Sequence, residues 1–339
     1  MKTSVSAQAV LAGDRRAIAR ALTEIENDSS LGSVLLDELF VHTGKAHLVG
    51  VTGSPGAGKS SLVNQIAKIF RKPKSGQPVK VGIVAVDPSS PFTGGAILGD
   101  RVRMRDLSGD SGVFIRSMAT RGTLGGLAKK TSAFAQILDA AGYELILIET
   151  VGAGQSEVDI ARLAHTTIVV ESPGMGDDIQ AIKAGILEIA DILVVNKADH
   201  PMADLTIRAL RANLELAHPQ QFSSFERMHL HTLAFDPVPI VSSDVVDIWY
   251  PPLFSTISTK GEGIEPLVEA IVAHKAYLQD NGQWRQREAA RLQEELNDLL
   301  LGYFASKWRM QVDKSKIEDV VHDLLDRKYS PQQSLKRLI

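Results

Sequence analysis

The sequence predicts an α/β fold with a mostly parallel sheet flanked by helices. Three observations predict it. From residue 46 to 275, short apolar runs alternate with segments of helical periodicity, the pattern of strands joined by crossover helices. The run at 48–52 leads into a Gly-rich loop and then a helix with apolar residues at 62, 63, 66 and 69. The run at 191–195 ends in a polar tetrad, at the strand end where open α/β sheets hold ligands.

Residues 1–45 read as an N-terminal helical segment. Asp14 is placed to cap a helix whose apolar stripe is Ile18, Ala21, Leu22 and Ile25. Val34, Leu35, Leu36, Leu39 and Phe40 suggest a second helix. Leu48-Val49-Gly50-Val51-Thr52 is a short buried strand. The residues after it, Gly53-Ser54-Pro55-Gly56-Ala57-Gly58-Lys59-Ser60, match G-x-x-x-x-G-K-S/T in full, and Ser61 continues into the helix. Glycines let the backbone wrap a phosphate and aim N–H groups at it. The helix N-terminus adds positive potential at the same place. Lys59 is the side chain to reach β- and γ-phosphate oxygens, and the Ser60 hydroxyl suits Mg²⁺. Residues 46–275 are therefore expected to be a P-loop NTPase domain.

Val81-Gly82-Ile83-Val84-Ala85-Val86 is a second strand and ends in Asp87-Pro88. Leu145-Ile146-Leu147-Ile148 is a third and ends in Glu149-Thr150-Val151-Gly152. Both place a carboxylate at a strand's carboxyl end, beside the expected magnesium, which prefers hard oxygen ligands. Glu149 with Gly152 looks like the D-x-x-G γ-phosphate sensor with Glu in place of Asp, a local switch. The loop from Pro88 to Arg105, with Asp100 and the cluster Arg101, Arg103 and Arg105, is a second switch candidate. Ras-like proteins carry a water-orienting Gln directly after the switch Gly. Ala153 holds that position here and Gln155 comes two residues later, so the sequence assigns no residue to the attacking water. Slow hydrolysis without a partner is the expectation.

Asn196-Lys197-Ala198-Asp199 reads as a guanine-specific tetrapeptide. The Asp199 carboxylate only accepts hydrogen bonds, and guanine offers it two donors, N1–H and the exocyclic amine. Adenine would turn a lone pair toward it. At about 1.5–3 kcal/mol per charged hydrogen bond, discrimination of roughly ten- to hundredfold or more follows. The Lys197 stem is placed to lie along the base, and Asn196 to tie this loop to the phosphate loop. A helix follows at 205–216, then a polar, irregular stretch at 217–250. Leu253-Phe254-Ser255-Thr256-Ile257 is a last strand, and Ser258-Thr259-Lys260-Gly261 after it is positioned to meet guanine O6 with backbone N–H groups. Residues 276–339 form a C-terminal helical arm. In a long helix at 283–308, Leu292, Leu296, Leu299 and Tyr303 follow a coiled-coil spacing that favours a homodimer. A terminal helical unit, 317–338, repeats apolar spacing at Val320, Val321, Leu324 and Leu325. His229-Leu230-His231 lacks a third ligand nearby and reads as structural.

The chain has 339 residues, 44% hydrophobic and 23% charged, ordinary for a soluble globular protein. A net charge of −3 gives no general field for nucleic acid. No run of about 18 apolar residues marks a membrane span, the N-terminus lacks the apolar core of a signal peptide, and Asp14, Glu24 and Glu26 argue against a transit peptide. The absence of cysteine excludes disulfides, thiolate catalysis and cysteine metal relays, and a reducing cytoplasm is the expected compartment.

Together these strings resemble the methylmalonyl-CoA mutase-associated GTPases, SIMIBI-class proteins once described as arginine/ornithine transport kinases. The resemblance covers nearly the whole chain. It is carried by Leu11-Ala12-Gly13-Asp14-Arg15-Arg16, His42-Thr43-Gly44, Asp87-Pro88-Ser89-Ser90-Pro91, Gly99-Asp100-Arg101, Phe114-Ile115-Arg116-Ser117, Arg121-Gly122-Thr123-Leu124-Gly125-Gly126 and the Glu149 to Gln155 string. Glu171-Ser172-Pro173-Gly174-Met175-Gly176-Asp177-Asp178, with Gln180 and Lys183, resembles the family's third switch. The resemblance implies a GTP-hydrolysing chaperone that gates cofactor loading of an adenosylcobalamin-dependent acyl-CoA mutase and protects that mutase. It implies magnesium contacts at Ser60, Asp87, Asp100 and Glu149. It also implies a third switch at 171–185 that relays nucleotide state, and a homodimer built by the C-terminal helices. Arg101 stands where Lys is common, and residues 217–250 run longer than the family pattern. A phosphotransferase acting on a transport binding protein and a metal-delivery GTPase are the alternatives. Asp199 weighs against ATP, and zero cysteines against metal delivery.

Overall fold

A computed structural model describes residues 5–88, 104–107, 109–120, 126–150, 156–174, 187–217 and 248–338. The helices and strands, numbered along the chain, are α1 (Ala7–Leu11), α2 (Arg15–Glu26), α3 (Ser30–Phe40), β1 (His47–Gly53), α4 (Lys59–Arg71), β2 (Val81–Pro88), β3 (Val113–Thr120), α5 (Gly126–Ala140), β4 (Leu145–Glu149) and α6 (Ser156–Leu163). They continue with β5 (Thr166–Glu171), β6 (Ile192–Asn196), α7 (Ala203–Ala217), β7 (Leu253–Thr256), α8 (Ile264–Asp280), α9 (Gln283–Gln311), α10 (Lys314–Leu325) and α11 (Pro331–Leu338). The chain divides into two compact units, Met1–Glu288 and Ala289–Ile339.

The first unit is built on a seven-stranded sheet of order β3-β2-β4-β1-β5-β6-β7. Every described pairing is parallel. Parallel strands need crossovers, and the crossovers bury both faces, so β1, β4, β5 and β6 are buried along their whole length rather than alternating. The two faces separate by strand parity. Leu48, Val84, Ile146 and Ile148 point to one core, where Phe134, Ile137 and Leu138 of α5 meet Ile18, Leu22 and Leu35 of the N-terminal helices. Val49, Val51, Ile83, Leu145 and Leu147 point to the other, against Leu62 and Ile66 of α4 and Leu267 and Ile271 of α8. The Asp14 side chain accepts from the Ala17 N–H at 2.7 Å and so caps α2 as expected. The N-terminal helices therefore help close one face of the sheet.

The sequence pattern does not single out β3 and β5 as strands. β3 is an edge strand and carries Arg116 and Ser117 within its run, which dilutes the apolar signal. β5 opens with two threonines and ends in Glu171, which leaves only Ile168, Val169 and Val170 as an apolar run. In the second unit, Trp308 Nε1 donates to the Leu338 carbonyl at 3.3 Å, and Arg337 pairs with Asp323 at 2.7 Å. Leu296, Leu299, Tyr303 and Phe304 are exposed there. Among the described residues, no helix is long and apolar enough to cross a membrane.

At the amino edge of the sheet lies a buried histidine network. His47 Nε2 meets Thr166 Oγ1 at 2.7 Å, and Thr166 Oγ1 meets His274 Nδ1 at 2.8 Å. His165 Nδ1 accepts from the Leu48 N–H at 3.0 Å, which leaves Nε2 to donate to Glu288 at 2.5 Å. Arg287 grips Asp191 through both guanidinium nitrogens, at 2.8 and 2.9 Å. Burial pushes His274 down to about 4, with Asp191 opposing and Arg287 and His165 reinforcing. Burial holds His47 well below the ordinary range too, helped by the neighbouring His165, Lys275, His274 and Arg287 charges. Both histidines are therefore neutral in the fold and gain protons on unfolding. Their stabilisation is complete above the unfolded value near pH 6.5 and fades as pH falls toward 4. His274 alone accounts for about 2 kcal/mol between pH 7.5 and 5. Urea unfolding at those two pH values should show at least that loss, and His274→Asn should shrink it. Equal stability at both would refute this linkage.

Candidate functional site

The carboxyl edge of the sheet collects the residues that the sequence marks. β1 lies between β4 and β5, and the strand order reverses around it, so a crevice opens above its end. The loop that follows β1 runs from Gly53 to Gly58, and Lys59 and Ser60 open α4. Only glycine fits at two of its corners. Gly53 has φ 125, and a Cβ there would stand 2.0 Å from the Val170 carbonyl oxygen. Gly58 caps α4 at φ 89, and a Cβ there would stand 2.4 Å from Asn196 Nδ2. The loop thus hugs β5 on one side and the end of β6 on the other.

Lys59 folds back over this loop. Its Nζ donates to the carbonyls of Gly53 at 2.8 Å and Ser54 at 2.9 Å. Burial lowers its pKa, while Glu149, Glu171 and Glu157 pull the other way. The Ser60 hydroxyl donates to Glu149 Oε1 at 2.5 Å, and both side chains are buried. Register puts Glu149 opposite Ala85, so Asp87 sits two positions farther along β2, where it pairs with Ala119. The hydroxyl–carboxylate pair at Ser60 and Glu149 is a hard oxygen set that fits Mg²⁺. Among the described residues no cage of three or more His, Cys, Asp or Glu is preformed.

Asn196 is the hub of the site. Its Nδ2 donates to the Ala57 carbonyl at 2.7 Å. Its Oδ1 accepts from Thr256 Oγ1 at 3.1 Å, the Ser258 N–H at 3.1 Å and Ser258 Oγ at 2.8 Å. One buried side chain therefore joins the phosphate loop, the end of β6 and the loop after β7. Gln65 of α4 adds a bond to the Ser258 carbonyl at 3.0 Å. Lys197 takes the left-handed conformation at φ 57, and Asp199 is half exposed with Lys260 Nζ at 3.7 Å. Thr259 lies between Ser258 and Lys260 in the same turn, where the Lys260 and Gly261 N–H groups both bond the Ile257 carbonyl.

The structure thus brings together residues 53–61, Glu149, Asn196, Lys197, Asp199 and the 258–260 loop. Asp100, Gly152, Gln155, Arg101, Arg103, His229, His231 and residues 175–185 of the third switch lie outside the described residues. The sequence reading did not single out Glu171 as a site residue. The Ser54 hydroxyl donates to Glu171 Oε2 at 2.5 Å. The signal was available, because Glu171 ends a strand beside β1 just as Glu149 does. Gln65 gave no signal beyond its place on α4.

Comparison with known proteins agrees with this geometry. A family model described as methylmalonyl Co-A mutase-associated GTPase MeaB matches residues 18–311. A Pyrococcus horikoshii protein named as a GTPase is 44% identical over 319 residues, covering 94% of this chain and 92% of its own. GTPase ArgK of Escherichia coli is 34% identical over 278 residues, covering 81% of this chain and 76% of its own. A crystal structure of a LAO/AO transport system kinase shares the fold, with TM-score 0.66 at 24% identity, covering 98% of this chain and 94% of that one. A family match that spans both the phosphate loop and Asn196, joined here in one site, leaves a single assignment: the chain belongs to the methylmalonyl-CoA mutase-associated GTPase family.

Proposed function

We propose that this chain is a GTP-hydrolysing chaperone of an adenosylcobalamin-dependent acyl-CoA mutase, methylmalonyl-CoA mutase or a relative, working in the cytoplasm. The observation that carries the partner assignment is the family match over residues 18–311, whose description names a mutase-associated GTPase. The hub at Asn196 supports the nucleotide. It makes the phosphate loop and the base-reading loops one rigid unit, as selecting a guanine nucleotide requires.

In this reading Lys59 leaves the Gly53 and Ser54 carbonyls for the β- and γ-phosphates of GTP. Asp199 releases Lys260 and accepts the two guanine donors. Ser60, Asp87 and Glu149, with Asp100, would hold Mg²⁺, which would supply charge neutralisation to the phosphates. Gly152 senses the γ-phosphate, and residues 171–185 carry the nucleotide state to the mutase. The sequence assigns no residue to the attacking water, and in this reading hydrolysis stays slow until the partner engages. The exposed face of α9 at Leu296, Leu299, Tyr303 and Phe304 is the surface a second copy would cover in a homodimer.

The test is hydrolysis of GTP and ATP, with and without a cobalamin-loaded acyl-CoA mutase. GTP should be preferred, and the mutase should stimulate its turnover about tenfold or more. Asp199→Asn should relax the guanine preference. A preference for ATP, or phosphate transferred to an amino-acid binding protein, would favour the phosphotransferase reading instead.

A further inference from the structure

Three carboxylates, Glu149, Glu171 and Glu157, act on the charge of Lys59, and Glu149 and Glu157 have evident places in a P-loop site or on the helix beside it. Glu171 does not, yet it is buried and bonded to the loop itself. Strand register places Val170 opposite Gly53, so Glu171 lies beside Ser54 at the lip of the crevice. Ser54 is held there by side-chain bonds at two points, besides the bond that its carbonyl accepts from the Ala57 N–H at 3.1 Å. Its hydroxyl donates to Glu171 Oε2 at 2.5 Å, and its carbonyl accepts from Lys59 Nζ at 2.9 Å. Lys59 donates in turn to the Gly53 carbonyl at 2.8 Å. The loop is closed on itself by one cation and one anion, and the anion is only 8% exposed.

We propose that Glu171 is a positioning residue of the phosphate loop, fixing Ser54 and setting a buried negative charge beside the loop that an incoming polyphosphate must face. The proposal rests on the nucleotide reading of this site. A polyphosphate competes with the Gly53 and Ser54 carbonyls for the Lys59 ammonium group and brings negative charge close to a buried carboxylate. Entry of nucleotide therefore works against Glu171, most strongly when no divalent cation offsets the charge. The bond to Ser54 keeps the loop shaped meanwhile. Once Lys59 turns to phosphate, that bond is the remaining tether of Ser54 to β5. Glu171 itself opens the segment that resembles a third switch, so the tether sits where loop and switch adjoin.

Two substitutions separate charge from tether. Glu171→Gln keeps an oxygen that accepts from Ser54 and removes the charge. Ser54→Ala removes the donor and keeps the charge. Fluorescent GDP is titrated into the full-length protein and both variants, with Mg²⁺ and with EDTA, after circular dichroism confirms matching melts. Glu171→Gln should bind GDP about fivefold or more tighter in EDTA, with a smaller change in Mg²⁺. Ser54→Ala should bind no tighter in either. Wild-type affinity in both variants, or equal weakening of both, would overturn the proposal, because a purely structural bond predicts one or the other. A wild-type chain that binds no guanine nucleotide would overturn the nucleotide reading and this proposal with it. Normal wild-type binding with an unmoved Glu171→Gln overturns the proposal alone.

Discussion

Lys59→Ala should cut GTP hydrolysis by about a hundred- to a thousandfold, the usual scale for losing one preorganised donor to developing charge. It should do so with little loss of stability. In the nucleotide-free fold, Lys59 contributes two hydrogen bonds to backbone carbonyls, at 2.8 and 2.9 Å. Against them stands the burial of an ammonium group, which already lowers its pKa. Bonds to a charged donor stabilise by about 1.5–3 kcal/mol each at best, and desolvation offsets much of that. Single-turnover hydrolysis and a thermal melt of the same variant check both halves. A large fall in melting temperature would show that Lys59 is a structural strut. Unchanged hydrolysis would remove it from the reaction.

Gly58→Ala should damage both fold and binding. The new Cβ would stand 2.4 Å from Asn196 Nδ2, at a backbone φ of 89 that side chains resist. The left-handed conformation costs about 1–2 kcal/mol. Displacing Asn196 disturbs four hydrogen bonds at once, so a total near 2–4 kcal/mol is expected, with guanine-nucleotide affinity down about a hundredfold. The comparison with Asn196→Ala is informative. Both substitutions break the same junction, so the double variant should lose far less than the sum of the singles. Additive losses in a denaturant-melt cycle would mean that the two residues act separately and that the hub is misassigned.

Much of this was legible in the chain. The phosphate loop is local, since its glycines, Lys59 and Ser60 lie within eight positions and their spacing alone dictates a strand–loop–helix turn. The Asn196 tetrad is local too, and Asn196 was expected to reach the phosphate loop. The Asp14 cap of α2 follows from one side chain and the apolar spacing behind it. β3 and β5 were less legible, because an edge strand with polar residues within it and a strand with polar ends lack the unbroken apolar run that marks a buried one.

What sequence alone determined about this protein is therefore each loop's chemistry, because side-chain type and spacing within one turn or one strand end fix it. What only the tertiary structure decided is which of those groups meet. Ser54 reaches Glu171 across 117 positions, and Ser60 reaches Glu149 across 89. His47, Thr166 and His274 join at the opposite edge. Parallel strands bring such residues together through crossovers and register, and neither leaves a mark in the spacing of the residues themselves.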